Sequence, residues 1–539
     1  MRLFGAMVNG HGPRAVLTVL ALAMLLGAPA LFPDLMVLVR PAGAQAADWV
    51  IEKPGVTVDR QTMNMSSKII VNNGGGLIIR NSTINFSPTV ESGGGILVQP
   101  GGSLEVYDSR LASPNKGALP IFESQGALKL VSTTVFGFYG HFTEGGGVLI
   151  RGGTGQIIGS VFDTNRRQGV TVFGGAVSIR RSTFKTNTDG VMCKGVSGLL
   201  IEDSTFYLNS QHGLVASSCA MTIRRSSFLE NYMGLGLNSS TMTITGSTIN
   251  NNTIGVDLSF APSATIDGNK IDYNSQVGIR STSSNPLIRA NEMTGNALAL
   301  NLTGGGPQVT GNNIFGNKNG IIAVGAGGQV SGNTIGGSKA YGIYVIGGTV
   351  KVLTNNYTPD NDKGQVAWVW KLSVLVNKET SNGLAPVNGS TVEVDDSKGG
   401  IVFYGMTSVS GQTRTFDVVE KYIDNGGRTV NSNPYKITAS SGSRKVSKSF
   451  EITSNLTANV TLKANASSPL PVYAILAGVG VAMLAVAGGI FVHMKYGKEE
   501  EAREPRIKRG ASHRRRGRKS LTPTAISRKN RVRKRRGRS

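Results

Sequence analysis

Short apolar runs alternate with polar turns along most of the chain, and the alternation itself repeats. "SVFDTNRRQGV" and "STFKTNTDGV" share one order of residue types: a phenylalanine, an asparagine three residues later, and a glycine before an aliphatic residue. The apolar position recurs at Ile84, Leu111, Val135, Phe162, Phe184, Phe206, Phe228, Ile249, Ile271, Met293, Ile314, Ile335 and Tyr357, and the last ten lie 21 or 22 residues apart. Repeats of this length without helical runs predict one β-rich coil per repeat, with each coil stacked on the next.

Asparagine and glycine keep the same register as the apolar positions. An asparagine lies three residues after the apolar residue in eight coils, at Asn165, Asn187, Asn209, Asn231, Asn252, Asn274, Asn296 and Asn317. Stacked coils lie about 4.8 Å apart, which is the ordinary strand spacing. We therefore expect columns of inward-facing Phe and Ile and a ladder of asparagine amides. The glycines that follow, such as Gly190 and Gly213, are expected to supply the positive φ of sharp corners.

The repeat resembles a known family of folds. "RRSTFKTNTDGV", "IEDSTFYLNSQHGL" and "ITGSTINNNTIGV" are similar to the right-handed parallel β-helix repeats of carbohydrate-binding and sugar-hydrolase proteins, and to those of NosD-like periplasmic proteins. The resemblance covers about residues 56–358 and implies a right-handed parallel β-helix of about 13 coils. It implies little about activity, because such repeats encode stacking. We place an N-terminal cap and first coil at residues 47–76 and the β-helix at 77–362.

From Gln365 onward the repeat stops, and alternating strands take over. "AWVWKLSVLVNK", "STVEVDDSKGGIVFYGMT" and "KSFEITSNLTANVTLKAN" alternate apolar and polar residues between turn-forming residues. Residues 363–465 resemble carboxypeptidase-regulatory-like or fibronectin-like modules, which implies an Ig-like β-sandwich that covers the open edge of the last coil. The expected fold class is all-β: a right-handed parallel β-helix followed by a β-sandwich and one transmembrane helix.

Both ends of the chain carry targeting patterns. Residues 1–46 combine arginines, a long apolar stretch and small residues, which predicts a signal peptide, with an uncleaved anchor as the alternative. After a linker at 466–471, residues 472–494 contain "VYAILAGVGVAMLAVAGGIFV", which is long enough for one transmembrane helix. Residues 495–539 follow as a basic, disordered cytoplasmic tail. This order predicts a single-pass protein of the cell membrane with an extracellular N-terminal ectodomain.

The charge of the chain is concentrated in the tail. The full chain has 56 Lys and Arg against 32 Asp and Glu, a net charge of +24, and residues 495–539 hold 19 of those basic residues against 4 Glu. The remaining chain is only mildly basic, which argues against a nucleic-acid partner. We expect the tail to contact anionic lipid.

Charged residues on adjacent coils fall opposite one another. By register, Glu202 and Asp203 lie between Arg180-Arg181 and Arg224-Arg225, and Asp267 lies one coil before Arg289. Paired carboxylates stay ionised, which suits neither a general acid nor an open metal site. We interpret this column as a structural charge ladder. The sequence contains no recognisable pair of catalytic aspartates, and we assign no catalytic residue from it.

A second polar face follows the apolar positions. Counting by the repeat places Asp163, Lys185 and Tyr207 in one column and Arg167, Asp189 and Gln211 in another, with Arg166, His212 and Tyr232 close by. Tyrosine, histidine and mixed charges on one edge form a candidate glycan-binding face. The alternative interpretation is an ordinary polar exterior.

Three functions remain open from the sequence. The first is a membrane-anchored extracellular protein that binds polysaccharide or surface glycans, or serves as a cell-envelope or adhesion module. The second is a surface polysaccharide lyase or glycoside hydrolase that acts through Asp163, Lys185 and Asp189, and lyases of this kind use calcium. The third is a NosD-like metal-delivery accessory protein, as that resemblance implies.

The residues suited to a soft metal are few. They are Met192, Cys193, His212, Cys219 and Met221. One repeat before Cys219 stands Ser197, four residues beyond Cys193, and four strand residues span about 13 Å. We therefore expect neither a disulfide nor a shared metal unless the loop folds back, and no cofactor is assigned. The Asn-x-Ser/Thr sites at Asn388, Asn455, Asn459 and Asn465 are the glycosylation candidates.

Overall fold

The computed structural model describes residues 47–88, 94–115, 117–140 and 145–463. Within these ranges the regular elements are all β-strands. Each coil of the chain passes through three long parallel sheets in turn, which we call sheet 1, sheet 2 and sheet 3. The predicted all-β solenoid is therefore confirmed.

The strands of the rod are short and regularly spaced. Sheet 1 contains Trp49–Ile51, Lys68–Val71, Gly95–Val98, Ile121–Ser124, Val148–Ile150, Gln168–Val172, Asp189–Lys194, His212–Ser217, Met233–Asn238, Ile254–Ser259, Val277–Thr282, Leu298–Thr303, Asn319–Val324, Tyr341–Ile346 and Gly364–Thr380. Sheet 2 contains Val56–Asp59, Gly76–Arg80, Ser103–Tyr107, Ala127–Val131, Thr154–Ile158, Ala176–Arg180, Ser197–Glu202, Ala220–Arg224, Thr241–Thr245, Ala264–Asp267, Leu287–Arg289, Gln308–Thr310, Gln329–Ser331 and Lys351–Val352. Sheet 3 contains Thr62–Met65, Thr83–Phe86, Arg110–Ala112, Thr134–Phe136, Val161–Asp163, Thr183–Lys185, Thr205–Tyr207, Ser227–Leu229, Thr248–Asn250, Lys270–Asp272, Glu292–Thr294, Asn313–Phe315 and Thr334–Gly336.

The inward-facing residues stack in the predicted columns. Phe162 pairs with Phe184, Phe184 with Phe206, and Phe206 with Phe228 in the register of sheet 3. Their ring centroids lie 4.8, 4.9 and 4.6 Å apart and the rings are nearly parallel. All four side chains are fully buried. In the described part of the chain, sheet 2 holds 14 strands, which agrees with the expected number of about 13 coils.

A ladder of buried amides fixes the corner between sheet 3 and sheet 1. Asn209 Nδ2 donates to the Phe184 carbonyl and to Asn231 Oδ1, both at 3.0 Å, while Asn209 Oδ1 accepts from the Asn187 backbone N–H at 3.2 Å. The other seven predicted asparagines are buried in the same position. Each amide thus satisfies backbone groups that the corner would otherwise leave unpaired.

A second ladder, which the sequence analysis did not name, lies at the corner between sheet 2 and sheet 3. In this ladder the backbone N–H of one coil donates to a side-chain oxygen of the next coil. The acceptor is the hydroxyl of Ser204 or Ser226 in the earlier coils, and it is Asn269 Oδ1 for the Ser247 N–H. Asn269 then pairs with Asn291 in the same way. The Ser and Asn residues that precede each apolar position are the sequence signal of this ladder.

The expected role of the repeat glycines is wrong. Gly190 and Gly213 are absent from the residues with positive φ, which at this corner include Thr186 (φ 54°) and Leu208 (φ 51°). A Cβ on Gly190 would lie 2.5 Å from the Gly213 carbonyl oxygen and 2.7 Å from the Phe206 ring. These glycines are required because adjacent coils and the phenylalanine column approach too closely for a side chain.

The last strand of the rod continues into the C-terminal region. Gly364–Thr380 pairs in parallel with Tyr341–Ile346 through its first half and with Leu456–Leu462 through its second half. In sheet 1, Gly383–Pro386 and Phe416–Ile423 also pair with this strand, and Thr429–Asn431 pairs with Phe416–Ile423. A separate four-stranded sheet contains Ile401–Met406, Thr391–Asp395, Tyr435–Ser441 and Arg444–Phe450. Both sheets contribute to one buried apolar cluster. The assignment of residues 363–465 to an Ig-like sandwich stays a prediction.

Several predicted segments fall outside the described residues. They are the signal peptide (1–46), the linker (466–471), the transmembrane helix (472–494), the tail (495–539) and Asn465. In the described ranges, none of the secondary structure is a helix with the length and hydropathy needed to span a bilayer.

We predict that Asn209→Ala destabilises the rod by about 2–6 kcal/mol. The change leaves the Phe184 carbonyl and the Asn187 N–H buried without their partner, and each orphaned group costs about 1–3 kcal/mol. Urea unfolding followed by circular dichroism measures the loss. Asn313→Ala, at an exposed asparagine of sheet 3, serves as the control and should change stability by less than about 0.5 kcal/mol. Equal effects of the two changes would contradict the role of the ladder.

Candidate functional site

The predicted polar residues gather at the corner between sheet 3 and sheet 1. We define this corner as the residues between the end of each sheet 3 strand and the start of the next sheet 1 strand, with the residues at those strand ends. In each of the four coils that carry the predicted residues, a ladder asparagine (Asn165, Asn187, Asn209 or Asn231) anchors the corner. The residues around it face outward in columns that run along the rod. The predicted face therefore occupies four consecutive coils of one corner, from Asp163 to Tyr232.

Asp163, Lys185 and Tyr207 form one column, as expected. The Lys185 ammonium lies 3.3 Å from Asp163 Oδ2, and the Thr164 hydroxyl donates to Asp163 Oδ1 at 2.7 Å. Burial of the Asp163 carboxyl opposes its ionisation, but hydrogen bonds from Thr186, Thr164 and Lys185 outweigh burial and hold its pKa below the usual range. Asp163 is thus a stable carboxylate, which excludes it as a general acid near neutral pH.

The expected second column is wrong by one residue. Asp189 is in register with Gln168 and His212, and not with Arg167 and Gln211. The reason is uneven spacing, because 21 residues separate Gln168 from Asp189 and 23 separate Asp189 from His212. A count by a constant 22 residues cannot detect these two compensating changes in corner length.

The observed register places Gln168, Asp189 and His212 in one hydrogen-bonded chain, which we call the relay. Gln168 Nε2 donates to Asp189 Oδ2 at 2.7 Å, and His212 Nδ1 lies 2.7 Å from Asp189 Oδ1. The Gly146 backbone N–H in turn donates to Gln168 Oε1 at 3.0 Å. Gln168 and Asp189 are buried, whereas the His212 side chain is about one quarter exposed. Asp189 therefore orients the imidazole and leaves Nε2 as the nitrogen directed away from it.

The other candidate residues surround this relay. The Arg166 guanidinium lies 5.6 Å from the centre of the Tyr139 ring, and Arg167 is half-buried. Gln211 and Tyr232 are exposed. The structure thus brings all nine predicted residues to the same corner, where Lys185 pairs with Asp163 and His212 pairs with Asp189.

The charge ladder of sheet 2 is confirmed. Glu202 lies between Arg180, at 3.2 Å, and Arg224, at 3.8 Å. Arg225 makes two hydrogen bonds to Asp203, of 2.7 and 3.0 Å. The Arg225 guanidinium, by hydrogen bonding and by its charge, lowers the pKa of Asp203. These carboxylates compensate charge between coils and offer no free acid.

The sequence analysis missed a groove farther along the same corner. The groove is lined by Asn274, Ser275, Gly295, Asn296, Ala297, Gly316, Asn317, Lys318, Gly337 and Lys339. The exposed rings of Tyr273 and Phe315 stand beside it. Three glycines that directly precede ladder positions, at Gly295, Gly316 and Gly337, are the sequence signal that could have revealed it.

The two cysteines form a disulfide, contrary to expectation. Cys193 and Cys219 are bonded, with their Cα atoms 6.4 Å apart. The distance of about 13 Å expected from the sequence assumes a straight strand from Cys193 to Ser197. The strand instead ends at Lys194, and Gly195 adopts a φ of 67°. Cys193 and Cys219, which belong to successive coils, are both buried, so the bond lies inside the rod near this corner.

The disulfide bears on the metal hypothesis. A bonded cysteine pair supplies no thiolate, so Cys193 and Cys219 do not act as soft ligands in this state. Across the described ranges, no group of three or more His, Cys, Asp and Glu side chains is arranged to hold a metal ion.

Of the glycosylation candidates, Asn388, Asn455 and Asn459 are exposed. Asn455 Oδ1 accepts a hydrogen bond from the Lys371 backbone N–H at 2.8 Å.

Comparison with known proteins agrees with the topology. Residues 123–237 and 189–335 match the family described as "Right handed beta helix region". The rod is a right-handed parallel β-helix. This β-helix has no match among curated protein sequences.

Similar solved structures share only the fold. The periplasmic alginate epimerase AlgG is 18% identical, with 55% of this chain and 77% of that chain covered and a TM-score of 0.40. The A-module of the Azotobacter vinelandii mannuronan C-5 epimerase AlgE4 is 14% identical, with coverage of 54% and 91% and a TM-score of 0.33. PfbA, a surface adhesin of Streptococcus pneumoniae, is 12% identical, with coverage of 66% and 90% and a TM-score of 0.33.

We predict that the Cys193–Cys219 bond stabilises the β-helix by about 3.5 kcal/mol, the value that loop-closure entropy gives for a loop of this length. Removal of both thiols by Cys193→Ala with Cys219→Ala should lower the urea midpoint accordingly. A reductant should lower the midpoint of the unmodified protein to that of the double variant and leave the variant unchanged. Mass spectrometry that finds two alkylatable thiols in the unreduced, denatured protein would contradict the bond.

Proposed function

We propose that the protein is a membrane-anchored extracellular β-helix that binds glycans along the corner between sheet 3 and sheet 1. The corner contains the residue types that recognise sugars: tyrosine rings, and polar groups that exchange hydrogen bonds with hydroxyls. Tyr207 and Tyr232 supply the rings, while Gln211, His212 and Arg166 supply the polar groups.

The observation that carries this proposal is the stacking of the corner residues in columns. Asp163, Lys185 and Tyr207 are direct neighbours on successive coils, and adjacent coils are separated by about 4.8 Å. A face with contacts repeated at that spacing fits an extended polymer, which has its own repeated rings and hydroxyls. A compact small molecule would use only one or two of these coils.

The sequence patterns at the C-terminus support the cellular position in this proposal. The apolar residues 472–494 and the basic residues 495–539 support a tether in the cell membrane that holds the β-helix outside. In this position the glycans of the envelope or of a neighbouring surface are the accessible partners, and the basic tail contacts anionic lipid on the inner side.

We predict that the double change Tyr207→Ala with Tyr232→Ala weakens glycan binding about tenfold, because two ring contacts of about 0.5–1.5 kcal/mol each are lost. A glycan array followed by calorimetry on the full chain measures the effect. Phe260→Ala, which removes an exposed ring at the corner between sheet 1 and sheet 2, is the matched control. Absence of any glycan ligand, or equal loss in the control, would contradict the proposal.

A second function, surface polysaccharide lyase, is favoured by the Asp189–His212 pair. A histidine held by a buried carboxylate is the arrangement of a general base with its positioning residue. In such a lyase, His212 Nε2 removes the proton next to the uronate carboxylate, and the electron pair of that bond forms a carbon–carbon double bond in the ring. The bond to the leaving sugar oxygen breaks with its electron pair on that oxygen, which takes a proton from water to give a free hydroxyl. Asp189 acts through the orientation of His212.

For this second function we predict that the full chain releases unsaturated uronate from an acidic polysaccharide and that His212→Ala abolishes the release. Absorbance of the unsaturated product measures the rate. Asp189→Asn should lower the rate strongly under conditions where circular dichroism shows the variant to be folded, because its amide nitrogen cannot accept the hydrogen bond from Gln168 or from His212. Lack of turnover on uronate polymers with and without calcium would remove the lyase and leave the binding function.

A further inference from the structure

The groove downstream of the predicted face arises where one column loses its side chains. The position just before the ladder residue holds Leu208, Glu230, Asn251 and Tyr273 in four successive coils, each with positive φ. The next three coils have Gly295, Gly316 and Gly337 there, with φ of 70°, 62° and 66°. A Cβ on Gly316 would meet no atom within 4 Å. The space above the middle glycine is therefore open to a ligand.

Two exposed aromatic rings border this space. A Cβ on Gly295 would lie 2.6 Å from the Tyr273 ring, and a Cβ on Gly337 would lie 3.3 Å from the Phe315 ring. The rings thus lie across the outer glycines and leave the middle one clear. Tyr273 is 58% exposed and Phe315 is 43% exposed, so each presents an apolar face to solvent at the groove. Flat apolar surfaces of this kind pack against the faces of sugar rings.

Two stacked lysines place positive charge at the groove. Lys318 and Lys339 each follow the ladder residue of their coil, and the Lys339 backbone N–H donates to the Lys318 carbonyl at 3.0 Å. Both side chains are exposed. Among the described residues, neither ammonium has a carboxylate within 4 Å, although Asp362 follows the ladder residue of the next coil.

This charge arrangement differs from the other charged columns of the rod. Arg180 with Glu202, Lys185 with Asp163, and Arg280 with Asp257 all place opposite charges on adjacent coils. Like charges directly opposite each other destabilise a sheet. A negatively charged ligand over Lys318 and Lys339 would supply the opposite charge that the chain itself provides elsewhere.

We propose that this groove binds an acidic oligosaccharide segment, with its sugar rings against Tyr273 and Phe315 and its carboxylate or sulfate groups on Lys318 and Lys339. The inference rests on the proposed glycan-binding function and adds to it a specific subsite and the charge class of the ligand. A polymer that follows the corner from Tyr232 reaches the groove after two coils, because Tyr232 and Ser275 occupy equivalent positions one residue past the ladder asparagine.

The test measures protection of the two lysines in the full chain. Oligogalacturonate should slow acylation of Lys318 and Lys339, read by mass spectrometry, about tenfold, while exposed Lys270 on sheet 3 stays unprotected. This readout is specific to the groove and is independent of polyanion binding by the basic tail. A neutral oligosaccharide of equal length should protect at least about fivefold less. Equal protection by the neutral sugar, or by single-stranded DNA, would overturn the assignment to acidic glycans.

The structure supplies a matched pair of variants. Gly316→Asn fills the groove at a position where Asn251, in the same register, adopts a φ of 57°. Gly311→Asn is the control, because it lies in the same coil at the opposite corner, with a φ of 63° and no atom within 4 Å of its Cβ. Protection should fall about tenfold in Gly316→Asn and stay unchanged in Gly311→Asn. Unchanged protection in Gly316→Asn would overturn the site.

The upstream variant separates this inference from the function on which it rests. If Tyr207→Ala with Tyr232→Ala weakens glycan binding while the native protein shows no protection of Lys318, the proposed function holds and the groove assignment fails. If oligogalacturonate protects Lys318 and Lys339 and the upstream double variant binds normally, the groove is the site and the upstream face is not.

Discussion

The structure depends on hydrogen bonds between identical side chains on adjacent coils. An interior ladder asparagine such as Asn209 pairs with its copies on both sides and also satisfies backbone groups at its corner. A residue out of register would leave several buried groups unpaired, at about 1–3 kcal/mol each. The ladder therefore fixes the register of the corner on one coil against the corner on the next, and the exposed residues of the corner are held in the same register.

Order inside the rod leaves the outside free to vary. The position before the ladder asparagine accepts leucine, glutamate, asparagine, tyrosine or glycine without a change in the coil, because its side chain points away from the core. The relay of Gln168, Asp189 and His212 and the open groove at Gly316 therefore occupy one corner of an otherwise uniform scaffold. Such a corner can acquire chemistry coil by coil, without cost to the packing beneath it.

The sequence predicted what stacking controls and failed where a corner changes length. Phe184 and Asn209 were placed correctly, since each must lie on its copy in the next coil. The partners of Asp189 were misplaced because two corners differ from the mean repeat by one residue in opposite directions. The Cys193–Cys219 bond was missed since a linear distance takes no account of the turn at Gly195. The groove was missed because glycine was considered only for its φ.

The long strand Gly364–Thr380 has a mechanical consequence. Its second half lies beside Leu456–Leu462, the last strand before the described chain ends at Lys463, and the two run in parallel over seven residue pairs. A pull on the chain beyond Lys463 acts along these strands, so their hydrogen bonds are loaded together in shear and not opened one at a time. The first half of the same strand belongs to the rod, so tension applied at that point is carried into sheet 1 by one unbroken backbone.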